Sequence, residues 1–336
     1  MIYRFFLIAL YCFCAVSFAS NNPLLPNDAT STLKTIYNKY KAIKKGQNAS
    51  YIPELAKTDS RLFAISIATV DGHVISIGDD STPFSLQSIS KIFAYALAIE
   101  DNGPQTIFKE IGLDATGEKF NSIAAVENKI GQANPYVNAG AIQTTSYIKG
   151  HNSHEKWNRM LTLFKALSDG KPYLSEPVYL SETQTNMRNH AIAHLLKSNS
   201  KLVGEPEDAL DRYTKACSVM VTSKQLALMG ATLANNGINP ITKQKVISSA
   251  VIKSVLAQMV INGLYEKSGT WFVKAGIPTK SGVSGGLLAI IPNKMAIAVY
   301  SPPLDGSGNS VKGQMVLRDL SAQWRLHLLE NRTSPL

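Results

Sequence analysis

The chain has 336 residues, 45% of them hydrophobic and 17% charged, and a formal charge of +10. That length suits one large domain or two interleaved ones. The basic residues are scattered, with no basic run interleaved with aromatics, which argues against nucleic acid as a partner and for small anions or an anionic surface.

Residues 1–19 read as a cleaved secretory signal. Arg4 supplies the positive start, residues 5–18 are almost wholly apolar, and Ser17-Phe18-Ala19 offers small residues for cleavage after Ala19. The run is short for a membrane span, which needs about 20 apolar residues, and Leu10-Tyr11 before Cys12 is a poor acylation signal. Cleavage removes Cys12 and Cys14, leaving Cys217 alone and no internal disulfide. The expectation is a periplasmic or secreted protein of residues 20–336 with no stable membrane insertion.

Residues 27–45 carry Leu33, Ile36, Tyr37 and Tyr40 on one stripe and predict an amphipathic helix. Residues 62–78 alternate apolar and polar around Asp71-Gly72, a hairpin signal. Residues 83–100 predict a helix with Ser88 near its start. The middle, about 105–265, reads as mostly helical, with helices at 187–199, 222–236 and 248–262. A second hairpin, 282–291 with 295–301, turns at Pro292-Asn293-Lys294, and 310–330 predicts a closing helix. The fold class is mixed α/β: one antiparallel sheet built from both chain ends (about 20–100 and 266–336), flanked by helices, with a helical region (about 101–265) inserted.

Two short motifs carry the chemistry, Ser88-Ile89-Ser90-Lys91 and Lys280-Ser281-Gly282. Neither is specific alone. Ser-x-x-Lys recurs at Ser31, Ser146, Ser153 and Ser198 among other places, and Lys-Ser-Gly at Lys267. Ser88 alone opens a strongly apolar helix, residues 92–99, while Ser146, Ser153 and Ser198 lie in polar or loop-like stretches. Residues i and i+3 share a helix face, so the Lys91 amine reaches the Ser88 hydroxyl. Burial lowers a lysine pKa and makes it a base. Lys280 leads through Ser281, Gly282, Val283 and Ser284 into the apolar strand 287–291, and small residues there admit a substrate carbonyl to the backbone. The Ser88 and Val283 amides would then form an oxyanion hole. Together the motifs point to an amide-bond hydrolase whose serine is activated by lysine.

Other patterns are weaker. His190 and His194 lack the glutamate of a zinc-protease motif between them and read as helix packing. Gly306-Ser307-Gly308 lacks a third glycine at Val311 and reads as a loop.

Linked segments then identify a resemblance: Tyr51-Ile52-Pro53-Glu54-Leu55, Gln87-Ser88-Ile89-Ser90-Lys91, Phe120-Asn121-Ser122, Asn138-Ala139-Gly140-Ala141-Ile142, Ser181-Glu182, Arg188-Asn189, Tyr213, Gly263-Leu264-Tyr265, Lys280-Ser281-Gly282-Val283 and Gly308-Asn309-Ser310-Val311. From Tyr51 to the C-terminal helix the chain resembles the serine-dependent bacterial glutaminases, whose fold is that of serine β-lactamases and transpeptidases. The resemblance implies hydrolysis of L-glutamine to L-glutamate and ammonia, without metal or organic cofactor, in a homodimer or homotetramer. It implies Ser88 as nucleophile, Lys91 as its activator, and Tyr265 and Lys280 as further catalytic groups. It implies substrate contacts from Tyr51, Gln87, Ser88, Asn138, Glu182, Asn189, Tyr213, Tyr265 and Val283. Glu182 suits an α-ammonium; amide and phenol donors suit an α-carboxylate.

Three features depart from that family: the export signal, the Asn134-Pro135-Tyr136-Val137 lead-in to Asn138, and a polar stretch at 149–156 that reads as a surface loop. Two rival readings remain. A β-lactamase or D-alanyl carboxypeptidase fits both motifs, but the chain has no Ser-Asp-Asn between them and no Glu-x-x-Leu-Asn. A non-catalytic amino-acid binder would have no use for Ser88 and Lys91 together.

Overall fold

The computed structural model describes residues 24–127 and 133–330. The signal segment, its cleavage site, Cys12 and Cys14 lie outside these residues.

Eight strands are present among them: β1 (Ala64–Thr69), β2 (Val74–Gly78), β3 (Phe84–Ser85), β4 (Tyr173–Leu174), β5 (Val219–Val221), β6 (Thr279–Ser281), β7 (Gly286–Ile291) and β8 (Met295–Tyr300). Five form an antiparallel sheet in the order β2-β1-β8-β7-β6. Both chain ends therefore contribute, as the two alternating hairpins predict. The turn joining β7 to β8 places Asn293 at φ +60°, a conformation asparagine tolerates.

Side chains alternate across this sheet. Ile65, Ile67, Leu287, Ala289, Ile291, Ile297 and Val299 face the helices Ala29–Tyr40, Ser268–Ala275 and Val311–Trp324. Ala64, Ala68, Leu288, Ile290, Ala296 and Ala298 face Ser90–Asn102 and Ser223–Ala234. Burying each large side chain contributes roughly 1.5–3 kcal/mol, so the core is two-faced. The alanines on the second face let the Ser223–Ala234 helix sit close. At Gly230 an added Cβ would stand 2.6 Å from both Ala296 Cβ and Leu288 Cδ1, so only glycine fits this approach. Thr222 caps that helix, with its hydroxyl on the Gln225 N–H and Gln225 Oε1 on its own N–H.

Several expectations need correction. The helix expected over 83–100 is three pieces: strand β3, a 3₁₀ turn over Gln87–Ile89, and the helix Ser90–Asn102. The expected helices 27–45 and 310–330 are shorter, Ala29–Tyr40 and Val311–Trp324. The polar stretch 149–156 is only partly loop. Asn152 accepts the Glu155 N–H at 2.9 Å and caps the helix Ser153–Leu167. Ser146 and Ser198 are the last residues of the helices Asn138–Ser146 and Met187–Ser198, not loop residues. A small sheet, β3-β5-β4, was not anticipated.

Candidate active site

Strand β3, the Gln87–Ile89 turn and the edge strand β6 meet where the large sheet adjoins the helices. The turn is strained, since Gln87 has φ +49°, and such backbones cluster at functional sites. Its side chain explains what holds it: Gln87 Nε2 donates to Glu182 Oε2 at 3.1 Å and Ser85 Oγ at 3.3 Å. Gly282 lets β6 press against this turn, because a Cβ there would stand 2.6 Å from the Leu86 carbonyl oxygen. Ser284 Oγ donates to the Ser85 carbonyl at 2.6 Å and locks the two segments together.

Two lysines are buried here. Lys91 Nζ donates to the Tyr136 carbonyl at 2.9 Å and to Asn138 Oδ1 at 2.7 Å. Burial pulls its pKa from the usual 10.5 to about 7, against the raising fields of Cys217 and Glu182. A change of that size is worth on the order of 5 kcal/mol against the charged form. Lys280 Nζ donates to the Ser281 carbonyl at 2.9 Å and to Tyr265 Oη at 3.2 Å. Burial, then the nearby Lys91, pushes its pKa well below the lysine range. Lys280 therefore favours the neutral state, and Lys91 becomes neutral as the pH rises through about 7. A neutral amine has two N–H groups and one lone pair. Lys91 spends both N–H groups on carbonyl acceptors, which leaves the lone pair to accept a proton.

Tyr265 connects the two motifs. Its hydroxyl accepts from Lys280 Nζ at 3.2 Å, and the Ser88 side chain lies near enough to favour its ionised form slightly. Burial raises its pKa, so it stays a phenol. Its backbone, at φ +56°, is a second strained point in the site.

A cavity of about 100 Å³ opens over Ser88. It is lined by every residue expected to touch substrate except Tyr265: Tyr51, Gln87, Ser88, Asn138, Glu182, Asn189, Tyr213 and Val283. Tyr51 stands at the rim, 53% exposed. Asn138 is the hub. Its Oδ1 accepts from Lys91 and, at 3.2 Å, from Tyr213 Oη, while its Nδ2 donates to Asn189 Oδ1 at 3.0 Å. Glu182 is buried, and burial raises its carboxyl pKa to about 7 although the Gln87 amide and Lys91 lower it.

Sequence reasoning missed several neighbours. Thr185 and Asn186 also line the cavity, and Phe120, Asn121 and Arg188 line it although no role was given to them. Tyr136 holds Lys91 through a backbone oxygen, which no side-chain pattern announces. The unusual Asn134-Pro135-Tyr136-Val137 lead-in serves that contact, since Asn134 Oδ1 accepts the Tyr136 and Val137 N–H groups at 3.0 and 3.3 Å. Buried Cys217 accepts from Ser90 Oγ at 3.9 Å and lies within electrostatic reach of Glu182 and Lys91. It lies four residues after Tyr213 on one helix, a spacing that would have placed it on the same face.

His190 and His194 lie outside this site. They do not pack into the core: both ring nitrogens meet Glu207 Oε1, at 3.1 and 3.0 Å, on a partly exposed face. Among the described residues no group of three or more His, Cys, Asp or Glu is arranged to hold a metal ion.

Known proteins match this chain over nearly its whole length. The family model described as Glutaminase matches residues 46–329. A glutaminase of Trichormus variabilis is 47% identical over 305 residues, covering 91% of each chain. Glutaminase 1 of Escherichia coli (strain K12) is 44% identical over 298 residues, covering 88% of this chain and 96% of its own. The solved structure of a probable glutaminase, YbaS, has a TM-score of 0.88 at 42% identity over 90% of this chain and 98% of that one. A probable glutaminase from Bacillus subtilis, complexed with 6-diazo-5-oxo-L-norleucine, has a TM-score of 0.79 at 32% identity, covering 89% and 94%. The antiparallel sheet flanked by helices is the β-lactamase-like fold of that family. The chain belongs to the glutaminase family, and its reaction is the hydrolysis of glutamine to glutamate and ammonia.

Proposed function

We propose that this chain hydrolyses the side-chain amide of L-glutamine through an acyl-enzyme on Ser88. The observation that carries the reading is the buried Lys91 amine, bonded to Tyr136 and Asn138 through its N–H groups, one turn from the Ser88 hydroxyl. Lys91 takes the Ser88 proton as Oγ attacks the amide carbon. The carbonyl oxygen becomes an oxyanion held by the Ser88 and Val283 N–H groups. Tyr265, backed by Lys280, gives its phenol proton to the nitrogen, the C–N bond breaks, ammonia leaves, and the proton that Lys91 took from Ser88 restores the phenol. Water then attacks the glutamyl ester, releasing glutamate and returning the proton to Ser88.

The head group selects the substrate. Glu182 pairs with the α-ammonium, while Asn189, Tyr213 and Tyr51 meet the α-carboxylate. Gln87 holds Glu182 in place through its 3.1 Å hydrogen bond. A peptide-linked glutamine lacks the free ammonium and would leave Glu182 without its partner, an expensive outcome in a buried site. A β-lactam site would make no use of such a carboxylate.

We also infer that the chain is exported, supported by the leader over residues 1–19, and that it works as a homodimer or homotetramer on external glutamine. Protein recovered from the cell envelope or medium should begin at Ser20 and sediment as two or four chains. A retained Met1 would contradict export, and a lone chain the assembly.

Glu182→Gln should raise the KM for glutamine about 100-fold, the order expected when a buried charge loses its partner, and an unchanged KM would reject the ammonium assignment. The pH profile provides an independent check. Free enzyme needs Lys91 neutral and Glu182 ionised, both above about 7. Below that pH, log kcat/KM should fall with a slope approaching two. Log kcat should fall with a slope near one, because bound ammonium keeps Glu182 ionised. A kcat/KM that stays flat down to about pH 5 would contradict both roles.

A further inference from the structure

The Gly308-Asn309-Ser310-Val311 segment has no part in the chemistry above, yet it abuts the turn that presents Val283. Asn309 is fully buried, and neither Oδ1 nor Nδ2 meets a partner in the protein. Its backbone, by contrast, is engaged: the N–H donates to Asp305 Oδ1 at 3.0 Å and the carbonyl accepts the Asp305 N–H at 2.9 Å. The buried Ser281 and Ser301 hydroxyls lack protein partners as well.

Strand register and backbone hydrogen bonds relate these three residues to one end of the large sheet. Ser281 pairs with Leu287 and Leu287 with Val299, so Ser281 shares the face covered by Val311–Trp324. Ser301 lies one residue past the end of β8, between the Gly282–Gly285 turn and Ser310. Asn309 sits where the covering helix begins. The connections run to the catalytic turn: Ser310 Oγ donates to the Ser301 carbonyl at 2.8 Å, and the Ser301 N–H donates to the Gly285 carbonyl at 3.0 Å. A Cβ on Gly308 would touch Val283 Cγ1 at 3.5 Å. Ser284 ties the other side of the turn to Ser85.

Buried amides and hydroxyls that lack protein partners are satisfied by internal water. We propose that Asn309 is a positioning residue for the Gly282–Gly285 turn, acting through internal water shared with the Ser281 and Ser301 hydroxyls. An amide both donates and accepts, so it can orient such water in a fixed sense. The inference rests on the reading of Val283 N–H as an oxyanion donor. That N–H serves the developing oxyanion more than the ground-state carbonyl, so loosening it lowers kcat and spares KM.

The test compares Asn309→Leu and Asn309→Ser in the full exported protein, alongside a high-resolution crystal structure of the wild type. Asn309→Leu should lower kcat about 10- to 100-fold, with KM for glutamine within about twofold. Asn309→Ser, which keeps a hydroxyl and leaves room for another water, should recover most of the loss. The wild-type structure should show water bonded to the Asn309 amide and to Ser281 or Ser301. A folded Asn309→Leu protein with normal kcat would overturn the proposal. So would a dry region around Asn309, which decides the matter even if Asn309→Leu does not fold. The underlying reading is tested separately by the adduct of wild-type protein with 6-diazo-5-oxo-L-norleucine. A ligand oxygen on the Val283 N–H supports it, and one pointing elsewhere overturns the oxyanion assignment whatever the water shows.

Discussion

The burial of two lysine amines in one pocket is the constraint on which the site depends. An ammonium taken out of water costs several kcal/mol unless a charge partner follows it in. Lys91 and Lys280 receive carbonyl, amide and phenol partners instead. Those neighbours satisfy N–H groups but neutralise no positive charge. Glu182 lies within electrostatic reach of Lys91, yet burial keeps its own carboxyl pKa near 7. On the proposed reading the arrangement supplies a base at neutral pH without a histidine.

The rest of the fold fixes those two amines in place. Lys280 lies on the edge strand β6, pinned by β7, and Lys91 stands at the start of a helix buried against the sheet. The site contains two strained backbones, at Gln87 next to Ser88 and at Tyr265. They persist because side chains around them are fixed: Gln87 by Glu182 and Ser85, Tyr265 by Lys280. Asn138 then joins the chemistry to the head-group residues, since one amide touches Lys91, Tyr213 and Asn189. Displacing the head group would therefore disturb the base.

Much of the fold was legible because long, periodic segments carry their own signal. Asp71-Gly72 between alternating runs marked the hairpin β1–β2, and the helix expected over 222–236 is Ser223–Ala234. Strands β3, β4 and β5 have two or three residues each, too few for any period to show. The Ser88–Lys91 pair was legible from spacing, being local. Glu182, Asn189 and Tyr213 were not. Nothing within a few residues of them signals a ligand, and they were found through the family resemblance, because tertiary packing brings them together. Cys217 was within reach of helical spacing. The Tyr136 carbonyl was not, since backbone groups are alike in sequence.

The most direct test of the central claim is to locate the covalent intermediate. Purified protein would react with 6-diazo-5-oxo-L-norleucine, and peptide mapping by mass spectrometry would find the modified residue. The account predicts a single adduct on Ser88, absent from Ser88→Ala, whose ammonia release from L-glutamine falls to background. An adduct on another residue, or continued turnover by Ser88→Ala, would contradict it.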